Sequence, residues 1–137
     1  MKLFIDTGPL VARVYRPDPK HRESVETFRR ISERSLPYRL LYTSNFVVDE
    51  TLTRLLYEAG HAAAMQGLRL LRGSAVLRIA RVTEEDERRA DKVFETYADH
   101  RISYTDCTSK AVMERLGIDT AFTFDRDFET MGFSGIP

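Results

Sequence analysis

Residues 3–6 read Leu-Phe-Ile-Asp, and residues 121–125 repeat that layout as Ala-Phe-Thr-Phe-Asp. In each stretch a short apolar run, typical of a buried strand, is followed by a carboxylate, Asp6 or Asp125. Because ligands of open α/β sheets bind beyond the carboxyl ends of the strands, both carboxylates are expected to face one crevice. The two stretches therefore predict an α/β fold with a shared acidic site.

Between these stretches, short apolar runs alternate with longer helical periodicities, which is typical of a parallel sheet with crossover helices. Strands are predicted at 3–5, 40–42, 75–79 together with Val82, 121–124 and, as a short fifth, around 131–133. Helices are predicted from about Pro9, over 20–34, from Thr43 or Ser44 to about 57, over 62–71, from Thr83 to about 97, and from about 105 to 117. The chain shows no repeat, low-complexity tract or linker, so one domain is predicted over residues 1–137.

The composition is that of a globular protein, with 137 residues of which 42% are hydrophobic and 31% charged. A chain of this size can bury a core without disulfides or a structural metal, and the lone Cys107 has no internal partner. Asp6 interrupts the first apolar stretch too early for a signal peptide, and no apolar run approaches the roughly 20 residues that span a bilayer. These features predict a cytoplasmic protein with no membrane partner.

The net charge of +0 gives no long-range attraction to nucleic acid. It conceals an asymmetry, because residues 1–81 hold 14 basic and 8 acidic side chains and residues 82–137 hold 7 and 13. Of the basic residues 17 are Arg, which suits forked contacts to phosphate. The first part could therefore supply a phosphate-binding face, although solvated helix surfaces would give the same pattern.

Four acidic residues lie at predicted strand ends or in predicted helices: Asp6, Glu50, Asp106 and Asp125. Taken singly, each is explained as a helix cap, a turn former or a solvated helix residue. Taken together they indicate a cation, because clustered carboxylates repel one another unless a divalent ion holds them. All-oxygen ligands favour Mg²⁺ or Mn²⁺ over zinc, and no His or Cys stands near them in a motif spacing.

The chain resembles the PIN-domain ribonucleases, in particular the VapC-type toxins of bacterial and archaeal toxin–antitoxin pairs. The resemblance rests on four segments: Phe-Ile-Asp-Thr at 4–7, Thr-Ser through Asp-Glu at 43–50, Ile-Ser-Tyr-Thr-Asp at 102–106, and Thr-Phe-Asp-Arg-Asp-Phe at 123–128 with Gly132 and Phe133. Any one segment is weak, but four in this order are specific. The resemblance implies a three-layer α/β/α PIN-like fold with a central parallel sheet of four to five strands.

The resemblance also implies the roles of the acids. Asp6, Asp106 and Asp125 would bind one or two Mg²⁺ or Mn²⁺ ions, and Glu50 would complete the catalytic set by binding through water or by deprotonating the attacking water. Asp127 is either a further ligand or a turn cap. Four hydroxyl residues either orient the acids or cap helices: Thr7, Thr105, Thr123 and Ser44.

The activity implied is metal-dependent endoribonucleolytic hydrolysis of RNA phosphodiester bonds, by the toxin of a toxin–antitoxin pair. RNA contacts are hypothesised at Arg13 and Arg16 after the first motif and at Arg54, one helical turn after Glu50. Expected partners are RNA, a cognate antitoxin and a second copy of the chain. The apolar stripes of 46–57 and 62–71 could form those protein surfaces, but core packing would produce the same pattern.

Three other interpretations fit parts of the sequence. A PIN fold without activity could serve as an RNA- or protein-binding module, although all four acids are present. A Mg²⁺-dependent phosphatase of the haloacid-dehalogenase type normally carries a second Asp two residues after the first, where this chain has Gly8. The triplet Asp6-Thr7-Gly8 also occurs in aspartic proteases, but the long helical periodicities argue against their all-β fold.

Overall fold

The structure, a computed structural model, describes residues 1–136 and places a sheet of five strands between helices. The strands are β1 (Lys2–Ile5), β2 (Leu40–Ser44), β3 (Leu77–Ala80), β4 (Thr120–Phe122) and β5 (Ser134–Ile136). The helices are α1 (Thr7–Val14), α2 (His21–Ser32), α3 (Asn45–Ala59), α4 (His61–Gly73), α5 (Glu84–Thr96), α6 (Tyr104–Leu116) and α7 (Asp127–Thr130). The predicted α/β/α architecture with a parallel sheet is confirmed.

The strand order is β3-β2-β1-β4-β5, and every neighbouring pair is parallel. In register, Phe4 of the central strand β1 pairs with Tyr42 on one side and Ala121 on the other. The direction in which strands are added reverses between β1 and β4, and an open sheet forms its ligand crevice at such a switch point. Asp6 lies there, with its backbone N–H donating to the Phe122 carbonyl at 3.0 Å.

The two strands at the switch point are fully covered by helices. Leu3, Phe4 and Ile5 of β1 are 0% exposed, as is Phe122 of β4. Strands of a parallel sheet that are buried on both faces have uninterrupted apolar sequences, which is why these short runs predicted strands. The rigid centre of the sheet therefore fixes the position of the residues that follow each strand.

Side-chain caps begin the helices α3, α5 and α6. Ser44 accepts from the Val47 N–H at 3.1 Å at the start of α3, and Thr83 begins α5 in a capping box. The sequence left Thr105 or Asp106 as the cap of α6, but the structure shows that Ser103 is the cap. The Ser103 hydroxyl oxygen accepts a hydrogen bond from the backbone N–H of Asp106 at 3.1 Å. The Asp106 carboxylate is therefore left available for another role.

The fifth strand was predicted in the wrong place. The apolar residues around 131–133 form a turn, in which Met131 is 3% exposed and Gly132 has a φ of +99°. Strand β5 follows at Ser134–Ile136 and pairs with β4 despite its weak strand propensity. Other strand bounds also differ, since β2 continues to Ser44, β3 is Leu77–Ala80 and β4 ends at Phe122. The periodicity signalled burial at these positions, and burial alone does not distinguish a strand from a buried turn.

No helix within residues 1–136 combines the length and the apolarity that crossing a bilayer requires.

Candidate active site

A cleft of about 440 Å³ opens beyond the carboxyl ends of β1 and β4 and is lined by all four predicted acids. Asp6 comes from the junction of β1 and α1, and Asp125 from the loop after β4. Glu50 lies in the second turn of α3 and Asp106 in the first turn of α6, two helices that begin at this end of the sheet. Local sequence places each acid just after a strand or within the first two turns of a helix, and the sheet topology brings these positions together.

Asp6 is held in a fixed orientation by Thr123. Its Oδ2 accepts a hydrogen bond from Thr123 Oγ1 at 2.8 Å, and the same hydroxyl accepts the backbone N–H of Asp125 at 3.0 Å. Asp6 is only 5% exposed, and its Oδ1 is buried without a hydrogen-bond partner among the described residues. Burial raises the Asp6 pKa to about 6, the Thr123 hydroxyl opposes this rise, and the charge of Glu50 adds to it. A buried carboxylate oxygen without a partner is an available metal ligand.

Asp106 is the most strongly perturbed carboxyl group of the cleft. It is 6% exposed, and burial together with the negative charges of Asp6 and Asp125 raises its pKa to about 8. Without a cation, the Asp106 carboxyl therefore holds a proton at neutral pH. A divalent ion would reverse this preference, because its charge favours the ionised form.

Asp127 lies closer to the acids of the cleft than the sequence indicated. It is the first residue of α7, and its backbone N–H donates to Asp125 Oδ1 at 2.9 Å. Burial and the charge of Asp125 raise the Asp127 pKa, while His100 lowers it. Carboxylate oxygens of Asp106, Asp125 and Asp127 lie within 4.8 Å of one another, a spacing at which one ion could contact all three. Its role as a ligand stays a prediction.

The remaining predicted hydroxyl residues differ in their positions. Thr7 lines the cleft, and its Oγ1 is buried without a hydrogen-bond partner in the part of the chain that is described. Thr105 is the second residue of α6 and does not cap it, and its carbonyl accepts from the Thr108 hydroxyl at 2.6 Å. Ser44 is 0% exposed and caps α3, so its observed role is structural.

Of the three predicted RNA contacts, only Arg54 lines the cleft, where it also forms an ion pair with Glu58 at 3.5 Å. The structure does not support the other two at this site. Helix α1 carries Arg13 about 9 Å along its axis from Thr7, into the lining of a different cavity. Arg16 is exposed in the loop after that helix and is outside the lining of the cleft.

The sequence interpretation missed two cationic residues and one aromatic residue that do line the cleft: Lys20, Arg101 and Phe124. The Lys20 ammonium lies over the Phe124 ring, 5.6 Å from its centroid, at a distance typical of cation–π contacts. Lys20 and Arg101 lie outside the four acidic segments, and each is brought to the cleft by the path of a loop. Phe124 lies within the fourth segment, but the sequence predicts it as part of a strand, whereas the structure has it in the loop after β4.

Comparison with known proteins agrees with this architecture. The family model of the PIN domain matches residues 3–134. The chain therefore belongs to the PIN-domain family, and within it to the VapC-type ribonucleases. It is 34% identical over 131 residues to the 23S rRNA-specific endonuclease VapC20 of Mycobacterium tuberculosis, covering 96% of this chain and 95% of the relative. It is 32% identical over 120 residues to a VapC ribonuclease of Archaeoglobus fulgidus, covering 85% and 72%.

The solved structures give the same result. The crystal structure of M. tuberculosis VapC20, described as a sarcin-ricin loop cleaving toxin, matches with a TM-score of 0.85 at 33% identity over 96% of this chain and 95% of that one. VapBC2 from Rickettsia felis, bound to a DNA fragment from its promoter, matches with a TM-score of 0.68 at 11% identity, over 99% and 98%. That second likeness shows the fold alone. The resemblance found in the sequence is confirmed.

Proposed function

We propose that this protein is an endoribonuclease that hydrolyses RNA phosphodiester bonds at the acidic cleft with the help of Mg²⁺ or Mn²⁺. The observation that carries this proposal is the convergence of Asp6, Glu50, Asp106 and Asp125 at the switch point of the sheet. The VapC relatives, which are named ribonucleases, support it.

The cleft suits a divalent cation. The donor set is all oxygen, which Mg²⁺ and Mn²⁺ prefer, and Asp6 Oδ1 is buried without a partner among residues 1–136. Asp6, Asp106 and Asp125 would hold the ion, with Asp127 as a further oxygen donor close to the last two. When bound, such an ion lowers the pKa of a water molecule and stabilises negative charge on the phosphate.

The chain's own residues would complete the reaction. Glu50 is half-buried on the cleft side of α3, where its carboxylate could accept the proton of the attacking water. Thr123 would keep Asp6 in one orientation through the hydrogen bond described above. Lys20, Arg54 and Arg101 would pair with substrate phosphates, which the acids alone would repel.

Cleavage assays test this function. The purified protein is incubated with labelled 23S rRNA and with an unstructured RNA, in Mn²⁺, Mg²⁺ or chelator, beside Asp6→Asn and the control Asp99→Asn, an exposed acid outside the cleft. We expect cleavage that requires metal, falls at least about a hundred-fold in Asp6→Asn, and persists in the control. Cleavage that survives in chelator would contradict the proposal. RNA binding without cleavage would favour an inactive binding module. Release of phosphate from a small monoester would favour a phosphatase.

We also propose an antitoxin partner that binds an apolar groove of about 470 Å³ between α1, α2 and α4. Leu70 and Val76 border it with 40% and 63% exposure, and Arg13 and Arg29 flank it. A helix with an apolar face and acidic flanks would match that surface. Co-expression and co-purification with the product of any small gene adjacent to this one tests the idea. Val76→Glu, in the groove, should abolish the complex, whereas Tyr57→Glu, on the apolar stripe of 46–57, should not. The reverse result would place the partner on α3.

Two further expectations belong to the same proposal. We propose that the protein forms a homodimer, since Tyr57 and Phe94 are 83% and 54% exposed, and large exposed apolar side chains often mark protein contacts. Light scattering should give twice the mass of one chain, and a monomer at micromolar concentration would contradict this.

We place the protein in the cytoplasm, where its RNA substrate is found and where a free thiol such as that of Cys107 persists.

A further inference from the structure

A second cavity, of about 320 Å³, adjoins the acidic cleft. Lys20, Phe124 and Asp125 line both spaces and therefore form the boundary between them. The other walls of the second cavity come from the first turn of α2, the loop after β4, Glu129 of α7 and the edge strand β5. Phe124 therefore lies between the acids of the cleft and the second cavity.

The Phe124 ring is braced from the protein side. It packs edge-on against Phe122, with ring centroids 5.7 Å apart. Gly8 lies next to it, so closely that a Cβ on Gly8 would be 3.4 Å from Phe124 Cδ2. The ring is half-buried and lines two open spaces, so it offers a fixed aromatic surface to a ligand.

Lys20 covers that surface loosely. Its ammonium group lies 5.6 Å from the Phe124 ring centroid and 3.5 Å from a Glu23 carboxylate oxygen, and its side chain is 49% exposed. An exposed ion pair of this kind contributes little, so the lysine can move from the ring to an incoming phosphate at small cost. Arg126 lines the second cavity and adds a second cation there.

We propose, resting on the function proposed above, that Phe124 and Lys20 position the nucleotide next to the scissile phosphate. The base of that nucleotide stacks on the Phe124 ring, and Lys20 and Arg126 pair with its flanking phosphates. A base inside a duplex is stacked on its neighbours, so only an unpaired nucleotide can bind in this way. The subsite therefore holds the unpaired nucleotide on one side of the cut against the Phe124 ring.

Binding measurements test this subsite separately from cleavage. A short fluorescein-labelled single-stranded RNA is titrated against the protein in the Asp6→Asn background, which prevents turnover. Phe124→Leu should weaken binding about ten-fold, because each base–aromatic stack contributes at about that level, and Phe124→Tyr should bind almost normally. Phe133→Leu is the matched control: Phe133 also has a lysine over its ring, Lys110 at 5.2 Å, but lines neither space.

Two more arms distinguish stacking from a folding defect. In the first arm, abasic sites are introduced into the RNA one at a time. At one position the abasic site should weaken binding to the protein that retains Phe124 about ten-fold. The same abasic site should not weaken binding to Phe124→Leu any further. With a fully paired duplex of the same sequence, Phe124→Leu should change nothing. Lys20→Met should weaken binding to the single strand and lower the slope of log affinity against log salt by about one.

The subsite is refuted if Phe124→Leu binds the single strand as tightly as the parent, if Phe133→Leu loses as much, or if the loss is equal with duplex. Because the readout is affinity, these results do not depend on whether the protein cleaves RNA. Failure of cleavage with the predicted binding pattern would overturn the nuclease proposal and leave the subsite standing.

Discussion

Replacing Asp106 by Asn is expected to abolish cleavage and, in metal-free protein, to increase stability at alkaline pH. Burial and the surrounding carboxylates raise the pKa of Asp106 from 3.8 to about 8 in the folded state. The folded protein therefore binds this proton more tightly than the unfolded chain. By linkage, the contribution of Asp106 to the free energy of unfolding falls as pH rises from about 4, and it levels off above about 8.

The size of this change in the free energy of unfolding follows from the difference between the Asp106 pKa in the folded and unfolded states. A change of about four pKa units corresponds to on the order of 6 kcal/mol between the fully protonated and fully ionised limits. Between pH 5 and pH 9 the Asp106 share of that change is about 4 kcal/mol. Asn does not titrate, so the stability of Asp106→Asn relative to wild type should grow by up to that amount over the same range. The α6 cap is unaffected, because Ser103 supplies it.

The assay is urea unfolding in chelator at pH 5, 7 and 9 for wild type, Asp106→Asn and the exposed control Asp99→Asn. Some pH dependence should persist in Asp106→Asn, because burial also raises the pKa of Asp6 to about 6. Equal free-energy differences from wild type at pH 5 and pH 9 would refute the reasoning. A stabilisation equally present in Asp99→Asn would show that net charge, rather than the cleft, is responsible.

Three further predictions concern the metal and the scaffold. At pH 8, Mn²⁺ at a hundred times its dissociation constant should stabilise wild type by about 2.7 kcal/mol in thermal unfolding, and an equal gain in Asp106→Asn would contradict binding at the cleft. Thr123→Val should lower Mn²⁺ affinity about ten- to hundred-fold in calorimetric titration, since it frees the Asp6 carboxylate, and unchanged affinity would exclude that orienting role. Arg115→Met should lower the free energy of unfolding by about 3 kcal/mol while sparing cleavage. The reason is that Asp86, which is 1% exposed, loses the ion-pair partner that lies 2.9 Å away. A urea midpoint as high as that of wild type would refute this prediction.

Local sequence was sufficient for much of the scaffold. Buried strands such as β1 have uninterrupted apolar sequences, and the Thr83 cap followed by acids marked the start of α5. Both signals act within a few residues, so they can be read without knowing the fold. The fifth strand failed because its residues, Ser134–Ile136, pair with β4 by position and carry little strand propensity of their own.

The candidate site divides in the same way. Asp6 and Asp125 could be predicted as neighbours because the carboxyl ends of parallel strands meet at one edge of a sheet. The cationic residues could not be predicted in this manner. Arg13 follows the first motif closely in sequence, yet α1 carries it into another cavity, whereas Lys20 returns to the cleft through a loop.

The sequence by itself determined that the acids follow strands or lie near the starts of helices, because strand burial and helix capping depend on residues close together in the chain. Only the tertiary structure decided that Asp127 lies beside Asp106 and Asp125, that Thr123 bridges Asp6 and the Asp125 backbone, and that Phe124 separates two cavities. These relations depend on the crossover connections and the strand order. Distances between residues far apart in the chain are fixed only when the whole sheet is assembled.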